Sequence, residues 1–331
     1  MYKGKNVLVA GGTGTIGIPT VKRLVERGAH VTVVALDDPK YARELLGPDV
    51  VFKQADLTSM DQCQLVMDDQ EIVFNLVGIK GNTGIGTSLV ASYFVPMILY
   101  QTNMMDAAFR AGIERFLFVS SVCAYPQGDL HEEDNLWEGL PKQNDRYAGI
   151  AKRVGEIQGE TYRLEHEWDA VRVIRPANVF GPFDDFNPST AQVIPALISR
   201  ALSGEDPLVV WGDGSAVRDF VFSEDVADAA LLSVEKAPAG IPINIGSGRG
   251  VTIKELAETV VSLVPGNPNI SWDVTKPAGD PIRLLATERA KQLLDYSPTT
   301  TLPEGIKKTI EWYVSNSELA SRRKGVLNAG K

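Results

Sequence analysis

Cysteine and histidine are both scarce in this chain of 331 residues. The two cysteines, Cys63 and Cys123, are too few for a disulfide framework, which is typical of proteins of the reducing cytoplasm. The three histidines, His30, His131 and His166, are scattered and lack the spacing of metal ligands. The scarcity of both residue types predicts a cytoplasmic protein without a metal centre.

Long apolar runs and an excess of positive charge are also missing. No apolar run is long enough to span a bilayer, and the first residues lead into a predicted strand instead of a signal peptide. The formal net charge of −9 provides no general attraction for nucleic acid or for an anionic membrane. We therefore expect neither as a partner, and an anionic ligand would need positive groups placed locally.

Short apolar runs rich in Val, Ile and Phe alternate with amphipathic segments over the first half of the chain. Runs of this kind are typical of strands that are covered on both faces. We predict such strands at 6–10, 30–36, 50–53, 72–77, 115–121 and 170–175. The amphipathic segments between them, such as 16–28 and 101–112, end at glycine, as helices often do. This order predicts an α/β fold with a Rossmann-type doubly wound parallel sheet.

Prolines and glycines become frequent after residue 176, where longer loops separate the predicted helices. We predict that residues 1–177, together with about 219–245, form a dinucleotide-binding domain. A smaller α/β substrate domain would contain 178–218 and 246–316. Residues 317–331 would form a polar tail whose last residues are frayed.

A glycine-rich loop follows the first predicted strand, in the stretch VLVAGGTGTIG. Glycines in this place permit a tight turn and let backbone N–H groups approach a pyrophosphate at the N-terminus of the next helix. The residues predicted to bind the cofactor here are Gly11, Gly14, Thr15, Ile16 and Gly17. The position of the loop at the first strand–helix junction predicts NAD or NADP as the cofactor.

Two acidic residues near the end of the second predicted strand, Asp37 and Asp38, favour NAD, because a carboxylate there can bind the ribose 2′-hydroxyl. They could equally open a solvated turn before Pro39. Asp56 and Leu57, which follow the third strand, are predicted to lie near the adenine. The choice between the two dinucleotides stays open.

Three motifs follow one another in a characteristic order: the glycine loop, the serine-rich SSVCAYP and the tyrosine–lysine stretch DRYAGIAKR. With these motifs, the chain up to about residue 315 resembles the extended short-chain dehydrogenases/reductases of the NAD-dependent epimerase/dehydratase family, which modify nucleotide-linked sugars. Within that family, residues 101–126 and 186–200 resemble GDP-fucose synthases most, and SSVCAYP also resembles GDP-mannose 3,5-epimerases.

The resemblance implies a catalytic tyrosine–lysine pair, here Tyr147 and Lys152, with Ser121 binding the sugar oxygen and Lys152 also contacting the cofactor. A tyrosinate can take a hydroxyl proton when an adjacent ammonium lowers its pKa from about 10. The spacing of five residues places the pair about 140° apart on a regular helix, whereas a spacing of four gives about 40°. A π-type bulge, made easier by Gly149, would bring the two side chains to the same face of the helix. Otherwise Tyr147 would have a packing role at the start of the helix.

Cys123 lies two positions after Ser121 on the predicted strand, so both side chains are expected on the same side of the sheet edge. The resemblance implies that this thiol exchanges protons at carbons next to a 4-keto group. Its alternative role is that of a small buried hydrophobic residue. In the resembled enzymes a second acid serves double epimerisation, but the matching position here is Gln192, which cannot donate a proton usefully at neutral pH. The reactions compatible with Gln192 are epimerisation at a single centre and 4-keto chemistry without epimerisation.

Arg200, Arg218 and Lys276 match positions that the resemblance assigns to binding of the nucleotide diphosphate. Asn178 and Arg283 lie in further segments that resemble the lining of the family's substrate site. A planar guanidinium suits phosphate because it donates paired hydrogen bonds. Taken singly, such charges are more often solvated surface residues.

Together these features predict an NAD(P)-dependent nucleotide-sugar epimerase or reductase that acts through a 4-keto sugar, with a GDP-linked hexose as its substrate. A 4,6-dehydratase and a UDP-sugar 4-epimerase are alternatives, although Val122 and Cys123 stand where the dehydratases have an acid pair. An alternative of another class is a dinucleotide-binding sensor or scaffold that has lost its chemistry. By analogy with the family, a homodimer would form through helices predicted at 94–111 and 145–166.

Overall fold

The computed structural model describes residues 1–79, 89–187, 189–276 and 279–322. The strands are β1 Asn6–Ala10, β2 His30–Ala35, β3 Val51–Gln54, β4 Ile72–Asn75, β5 Arg115–Val119, β6 Leu130–His131, β7 Val171–Pro176, β8 Asn178–Phe180, β9 Leu208–Trp211, β10 Val217–Phe222, β11 Pro242–Ile245, β12 Gly250–Thr252, β13 Ile270–Asp273 and β14 Ile282–Leu285. The helices are α1 Gly17–Glu26, α2 Pro39–Leu46, α3 Met60–Met67, α4 Val90–Arg110, α5 Arg146–His166, α6 Val193–Leu202, α7 Ser223–Lys236, α8 Ile253–Leu263, α9 Glu288–Leu294, α10 Leu302–Ser315 and α11 Ser317–Ser321.

The main sheet has seven strands in the order β11-β7-β5-β4-β1-β2-β3, and every neighbouring pair is parallel. Parallel strands need crossover connections, which cover both faces of a sheet and favour continuous apolar runs such as NVLVA. The six strands predicted from such runs are present, each with bounds within two residues of the prediction. The predicted doubly wound Rossmann-type sheet is therefore confirmed.

Helices pack on both faces of this sheet. On one face α1 and α7 contribute buried side chains such as Val21, Leu24 and Leu231 to an apolar core. On the other face α4 and α5 contribute Met104 and Ala151 to a second core. Each core removes apolar surface from water on one side of the sheet, which is the main favourable term in folding. The carboxyl ends of the strands remain the edge at which ligands bind in folds of this type.

A smaller unit is built on a second sheet in the order β12-β10-β14-β6, with β8 paired to β10. Its core lies between this sheet and helices α6, α8 and α10, and includes Phe180, Phe222, Leu256 and Ile306. The two units are continuous, because β8 follows β7 of the main sheet after a single residue. The exact domain boundaries given above stay a prediction.

The end of the described chain lies against the first unit. The guanidinium of Arg322 lies 5.3 Å from the Tyr41 ring centre and pairs with Glu44 of α2 at 2.7 Å. Residues 323–331, most of the predicted polar tail, lie outside the described residues. Among the residues that are described, none of the helices combines the length and apolarity needed to cross a membrane.

Candidate active site

The glycine loop joins β1 to α1 through positions where a side chain would not fit. Gly11 has φ +75°, a conformation that favours glycine. A Cβ at Gly17 would collide with the carbonyl oxygen of Gly11, and one at Gly12 would lie 2.7 Å from a Val33 methyl group. The close packing leaves a bare backbone surface at the start of α1, where Ile16 is the N-cap residue and Gly14 lies on the turn before it. This cradle fits the pyrophosphate of a dinucleotide.

Thr15 connects the loop to the beginning of the second unit. Its hydroxyl donates to the carbonyl oxygen of Phe183 at 3.1 Å, and it lies 3.4 Å from a carboxylate oxygen of Asp184. The side chain is buried. Thr15 therefore holds the glycine loop against residues 183–184, a structural contact in addition to its predicted position beside the cofactor.

The two aspartates after β2 have different roles. The Asp38 carboxylate accepts hydrogen bonds from the backbone N–H groups of Lys40 and Tyr41 and caps α2. The Asp37 carboxylate accepts a 2.6 Å hydrogen bond from the hydroxyl of Thr13 in the glycine loop. Asp38 thus caps α2, whereas the alternative stated above was a solvated turn before Pro39. Asp37 is held next to the loop and is the better placed of the two for a ribose hydroxyl.

Asp56 and Leu57 follow β3 and form the next part of the candidate cofactor site. The exposed Asp56 accepts hydrogen bonds from the backbone N–H and the hydroxyl of Thr58, at 2.9 and 2.7 Å. The Leu57 side chain is buried, and its carbonyl oxygen accepts from the Cys63 thiol at 3.2 Å. These contacts hold the turn in one conformation and leave Asp56 at the surface.

Ser121 and Cys123 do not lie on a strand. Strand β5 ends at Val119, and the Ser121 side chain accepts a 3.2 Å hydrogen bond from the backbone N–H of Cys123. This bond caps a single 3₁₀ turn at residues 122–124. The expectation that the two side chains share a sheet face through strand alternation is therefore wrong, because the serine hydroxyl competes for the backbone and turns the chain. Their proximity comes from the turn instead.

Lys152 lies beside this turn on the buried side of α5. Its ammonium donates to the Val119 carbonyl oxygen at 2.7 Å and lies 5.3 Å from the centre of the Phe118 ring. Burial lowers the pKa of Lys152 to about 8, against the opposing influence of the Cys123 and Glu156 charges. A lysine held in this way carries its charge at neutral pH and loses it under mildly alkaline conditions.

Cys123 receives opposing influences from its surroundings. Burial raises the pKa of its thiol, and the nearby Asp145 carboxylate raises it further. The hydrogen bond with Ser121 lowers the pKa, as do the positive charges of Arg283 and Lys152. The net effect raises the pKa of Cys123, which stands in a polar cluster with Ser121, Asp145, Lys152 and Arg283.

Tyr147 lies in the first turn of α5 and is 41% exposed. Its ring contacts Phe94 of α4 edge-on, with ring centres 6.0 Å apart. The helix has α-type geometry throughout Arg146–His166, and its first bond runs from Gly149 N–H to Asp145 O at 2.7 Å. The π-type bulge considered above is thus absent from the described helix. Within the described residues, the Tyr147 hydroxyl makes no hydrogen bond.

The structure gives Gly149 a different role from the one expected. A Cβ at this position would collide with the Cys123 carbonyl oxygen and would lie 2.7 Å from the side chain of Pro141. The glycine therefore permits α5 to pack closely against the 3₁₀ turn of Cys123. Close packing, rather than distortion of the helix, explains the residue.

Two of the predicted substrate-binding arginines lie side by side in the second sheet. Arg218 of β10 and Arg283 of β14 are direct partners in a parallel strand pair. Arg283 pairs with the Asp145 carboxylate at 2.8 Å, and Arg218 donates to the Asp280 carbonyl oxygen at 2.6 Å. Asp145 is the N-cap residue of α5, so these contacts bring the arginine pair to the start of the helix that carries Lys152.

The other predicted substrate residues have contacts elsewhere in the second unit. Arg200, at the end of α6, forms an ion pair with Glu205 and donates to the carbonyl oxygen of Val209. Lys276 is exposed, with its ammonium 5.9 Å from the centre of the Trp211 ring. Among the described residues, no direct contact brings Arg200 or Lys276 into the polar cluster.

Gln192 and Asn178 occupy positions near the beginnings of two elements. Gln192 immediately precedes α6 and is partly exposed. Asn178 begins β8, and its side-chain amide donates to the Asp219 carbonyl oxygen at 2.7 Å. Neither side chain supplies a group that titrates near neutral pH.

Three charged residues of the cluster were not predicted as site residues: Lys142, Asp145 and Asp280. Lys142 Nζ lies 2.5 Å from Asp280 Oδ1, and Asp145 binds Arg283. The sequence did contain a signal, because Asp145 opens the stretch DRYAGIAKR and Asp280 lies in KPAGDPIR. That the two segments pair with each other could not be read from either one alone.

Comparison with known proteins agrees with the fold and the motifs. Residues 7–246 match the model of the NAD dependent epimerase/dehydratase family. GDP-L-fucose synthase 1 of Arabidopsis thaliana is 32% identical over 323 residues, which cover 95% of this chain and 94% of that protein. GDP-L-fucose synthase of Escherichia coli (strain K12) is 30% identical, with 95% of this chain and 98% of that protein covered.

A solved structure is similar over nearly the whole chain. UDP-glucose 4-epimerase of Thermotoga maritima, with UDP-glucose, superposes with a TM-score of 0.81 at 27% identity and covers 94% of this chain and 99% of its own. The family match spans the glycine loop, Ser121, Cys123 and Lys152. The chain belongs to the NAD-dependent epimerase/dehydratase family and is an NAD(P)-dependent enzyme of the extended short-chain dehydrogenase/reductase type.

Proposed function

We propose that this enzyme is a nucleotide-sugar epimerase/reductase that acts through a 4-keto sugar, with a GDP-linked hexose as its substrate. The observation that carries the proposal is the cluster of Ser121, Cys123 and Lys152 at the end of β5, next to the paired Arg218 and Arg283. Such an arrangement offers hydroxyl, thiol and ammonium groups to a sugar and guanidinium groups to a diphosphate. The fucose synthase relatives favour GDP as the nucleotide.

A nicotinamide cofactor held by the glycine loop would accept or supply the hydride at sugar C4. We assign the hydrogen bond to the C4 oxygen to Ser121, because its hydroxyl lies at the exit of β5. Lys152 would supply positive charge to a tyrosinate brought next to it and would also contact the bound cofactor. We assign the proton transfer at the C4 oxygen to Tyr147, which lies in the first turn of the same helix.

Cys123 is the group that we assign to carbon acid chemistry. A 4-keto group acidifies the hydrogens on the neighbouring carbons, so a thiolate can remove one of them and a thiol can return a proton. Burial and the Asp145 carboxylate raise the pKa of this thiol, and the positive charges of Arg283 and Lys152 oppose that rise, so the thiol is the resting form. Since Gln192 offers no second acid, we propose exchange at one centre and not the double epimerisation of C3 and C5.

The direct test is turnover with a small set of substrates. The purified enzyme would be given NADPH or NADH with the 4-keto-6-deoxy derivative of GDP-mannose, and NAD or NADP with UDP-glucose and GDP-mannose. Reduction or epimerisation of the GDP-linked keto sugar supports the proposal. Conversion of UDP-glucose alone would favour the UDP-sugar 4-epimerase, and loss of water from GDP-mannose would favour the dehydratase.

The position of Tyr147 favours a second candidate function, a dinucleotide-binding sensor or scaffold. A tyrosine that is 41% exposed and packed on Phe94 is what a protein without hydride chemistry could retain. Binding of NAD(P) without turnover of any nucleotide sugar would support this candidate. The conjunction of Ser121, Cys123 and Lys152 supports the enzyme instead, because binding a dinucleotide does not require a thiol at that position.

We further propose a homodimer that works in the cytoplasm. Helices α4 and α5 carry exposed apolar side chains, among them Val95, Leu99, Ile157 and Leu164. Exposed apolar groups on two packed helices are suited to a helical interface. Light scattering should give twice the chain mass, and Leu164→Asp should shift the enzyme towards the monomer. A wild-type enzyme that is monomeric at high concentration would contradict the dimer.

A further inference from the structure

Two ion pairs connect the segment just before α5 with the segment that leads into β14. Lys142 Nζ lies 2.5 Å from Asp280 Oδ1, and Arg283 Nη1 lies 2.8 Å from Asp145 Oδ2. The partners are three residues apart in each segment, and the signs are reversed between the two pairs. The four side chains are all less than one third exposed. Charges therefore hold the start of α5 against the second sheet.

Asp145 is the N-cap residue of α5, but its carboxylate does not cap the helix. In the described part of the chain no side chain caps α5, and the Asp145 backbone has φ −104° and ψ −1° in place of the extended conformation usual for an N-cap. Aspartate is among the preferred N-cap residues, because its carboxylate accepts free N–H groups of the first turn. Here that carboxylate binds Arg283 instead. The Asp145 carboxylate thus has two possible partners, the N–H groups of the first turn and Arg283, and it contacts Arg283.

Arg283 is the partner for which an anionic ligand would compete. It lies beside Arg218 in the parallel pair of β10 and β14, and burial, together with the charge of Arg283, lowers the pKa of Arg218. The site therefore carries a net charge of +1, from three positive side chains, Lys142, Arg218 and Arg283, and two negative ones, Asp145 and Asp280. A diphosphate offers paired oxygens to such a site and is a stronger competitor than a single carboxylate.

We propose that Asp145 is a positioning residue that gives up Arg283 to the diphosphate of the substrate and then caps its own helix. The first turn of α5 carries Tyr147, so this exchange couples binding of the diphosphate to the position of the tyrosine hydroxyl. The inference rests on the proposed function, because it takes the diphosphate of a nucleotide sugar as the competing anion.

The test separates the two roles of Asp145 with two substitutions. Asp145→Asn and Asp145→Ala both free Arg283, so each should bind GDP and UDP about three- to tenfold more tightly than wild type in calorimetry at low salt. Asparagine caps helices well and alanine poorly. The Ala variant should therefore lose about tenfold or more in kcat relative to the Asn variant, with KM lowered in both.

Asp280→Asn is the matched control, because it adds the same charge to the cluster but frees Lys142 instead of Arg283. If Asp280→Asn tightens the binding of GDP and UDP as much as the Asp145 variants do, net charge alone explains the change in affinity and the proposal is overturned. Equal kcat values for Asp145→Asn and Asp145→Ala would also overturn it. Wild-type binding of GDP or UDP that neither Asp145 variant tightens would overturn this inference alone. If wild type binds neither nucleotide, both the proposed substrate class and this inference fail.

Discussion

Tyr147 and Lys152 lie on different sides of α5. The Lys152 ammonium is buried and donates to the Val119 carbonyl oxygen, whereas Tyr147 is half exposed against Phe94. Five positions on a regular helix correspond to about 140°, so this separation follows from the α-type geometry of the helix. The residue on the same face as Lys152, one turn earlier, is Ala148. Any partnership of Tyr147 with Lys152 in catalysis requires the first turn of the helix to move.

Tyr147→Phe is expected to lower kcat about 100-fold or more, because it removes the proton carrier at the C4 oxygen. The dissociation constant for NAD(P) should not change, since the phenyl ring keeps its contact with Phe94. Steady-state kinetics and cofactor titration check both statements. Tyr162→Phe, on the same helix but bonded to Asp106, is the control and should retain turnover. A Tyr147→Phe enzyme with wild-type kcat would leave the residue a packing role.

Cys123→Ser should abolish exchange of solvent hydrogen at the sugar carbons and leave hydride transfer at C4 in place. Serine keeps the size of the side chain, but its hydroxyl is far too weak an acid to replace the thiol at neutral pH. NMR of the sugar after incubation in D2O measures the exchange. Substitution of the buried Cys63 by serine provides a comparison, because that thiol bonds to Leu57 O away from the polar cluster. Undiminished exchange in the Cys123 variant would show that the thiol does not exchange protons at the sugar carbons.

The activity should decline as pH rises through about 8. Burial lowers the pKa of Lys152 to about 8, so the ammonium that stabilises a tyrosinate is lost above this pH. A pH profile of kcat with saturating substrate measures the decline. Lys152→Arg keeps its charge throughout this pH range, so its remaining activity should not decline above pH 8 in the same way. A wild-type profile that is flat to pH 10 would contradict this role of Lys152.

Lys152 should also affect stability, with the opposite dependence on pH. The pKa is about 8 in the folded chain and 10.5 ordinarily, so the unfolded chain binds the extra proton between these values. The free energy of unfolding contributed by this residue therefore rises from pH 8 to 10.5. Denaturant unfolding at several pH values should show that rise in wild type and not in Lys152→Met. The same slope in both proteins would contradict burial of the charge.

Gly17→Ala should raise the dissociation constant for NAD(P) by about tenfold or more and lower the melting temperature. The added Cβ would collide with the Gly11 carbonyl oxygen, so the loop and the first turn of α1 would have to separate. Cofactor titration and thermal unfolding check the two effects. Gly47→Ala, at a positive-φ glycine with open space around it, is the control and should affect stability alone. Unchanged cofactor affinity in Gly17→Ala would show that the pyrophosphate does not use this cradle.

The sequence was sufficient for the architecture and for the cofactor loop, because both depend on local patterns. Buried parallel strands such as Asn6–Ala10 are continuous apolar runs, and the glycine loop lies directly after the first of them. The local conformation at Cys123 could not be predicted in this way. It depends on one hydrogen bond from a backbone N–H to Ser121, which ends the strand two residues earlier than the apolar pattern indicates.

Contacts between residues far apart in the chain could not be predicted from the sequence either. Asp145 and Arg283 are 138 residues apart, and their pairing follows only from the way the second sheet packs against the start of α5. Gly149 was interpreted as a cause of helix distortion because a glycine weakens a helix. Its actual role depends on the distance to the Cys123 carbonyl oxygen, which only the packed structure shows.

The central claim is that the enzyme acts through a 4-keto nucleotide sugar, and one measurement tests it most directly. The protein would be incubated in D2O with NADPH and the 4-keto-6-deoxy derivative of GDP-mannose, and the product sugar would be examined by NMR. The account predicts a reduced C4 and carbon-bound deuterium at one of the positions next to it, C3 or C5. A substrate recovered without reduction and without deuterium would contradict the claim and leave the sensor as the better description.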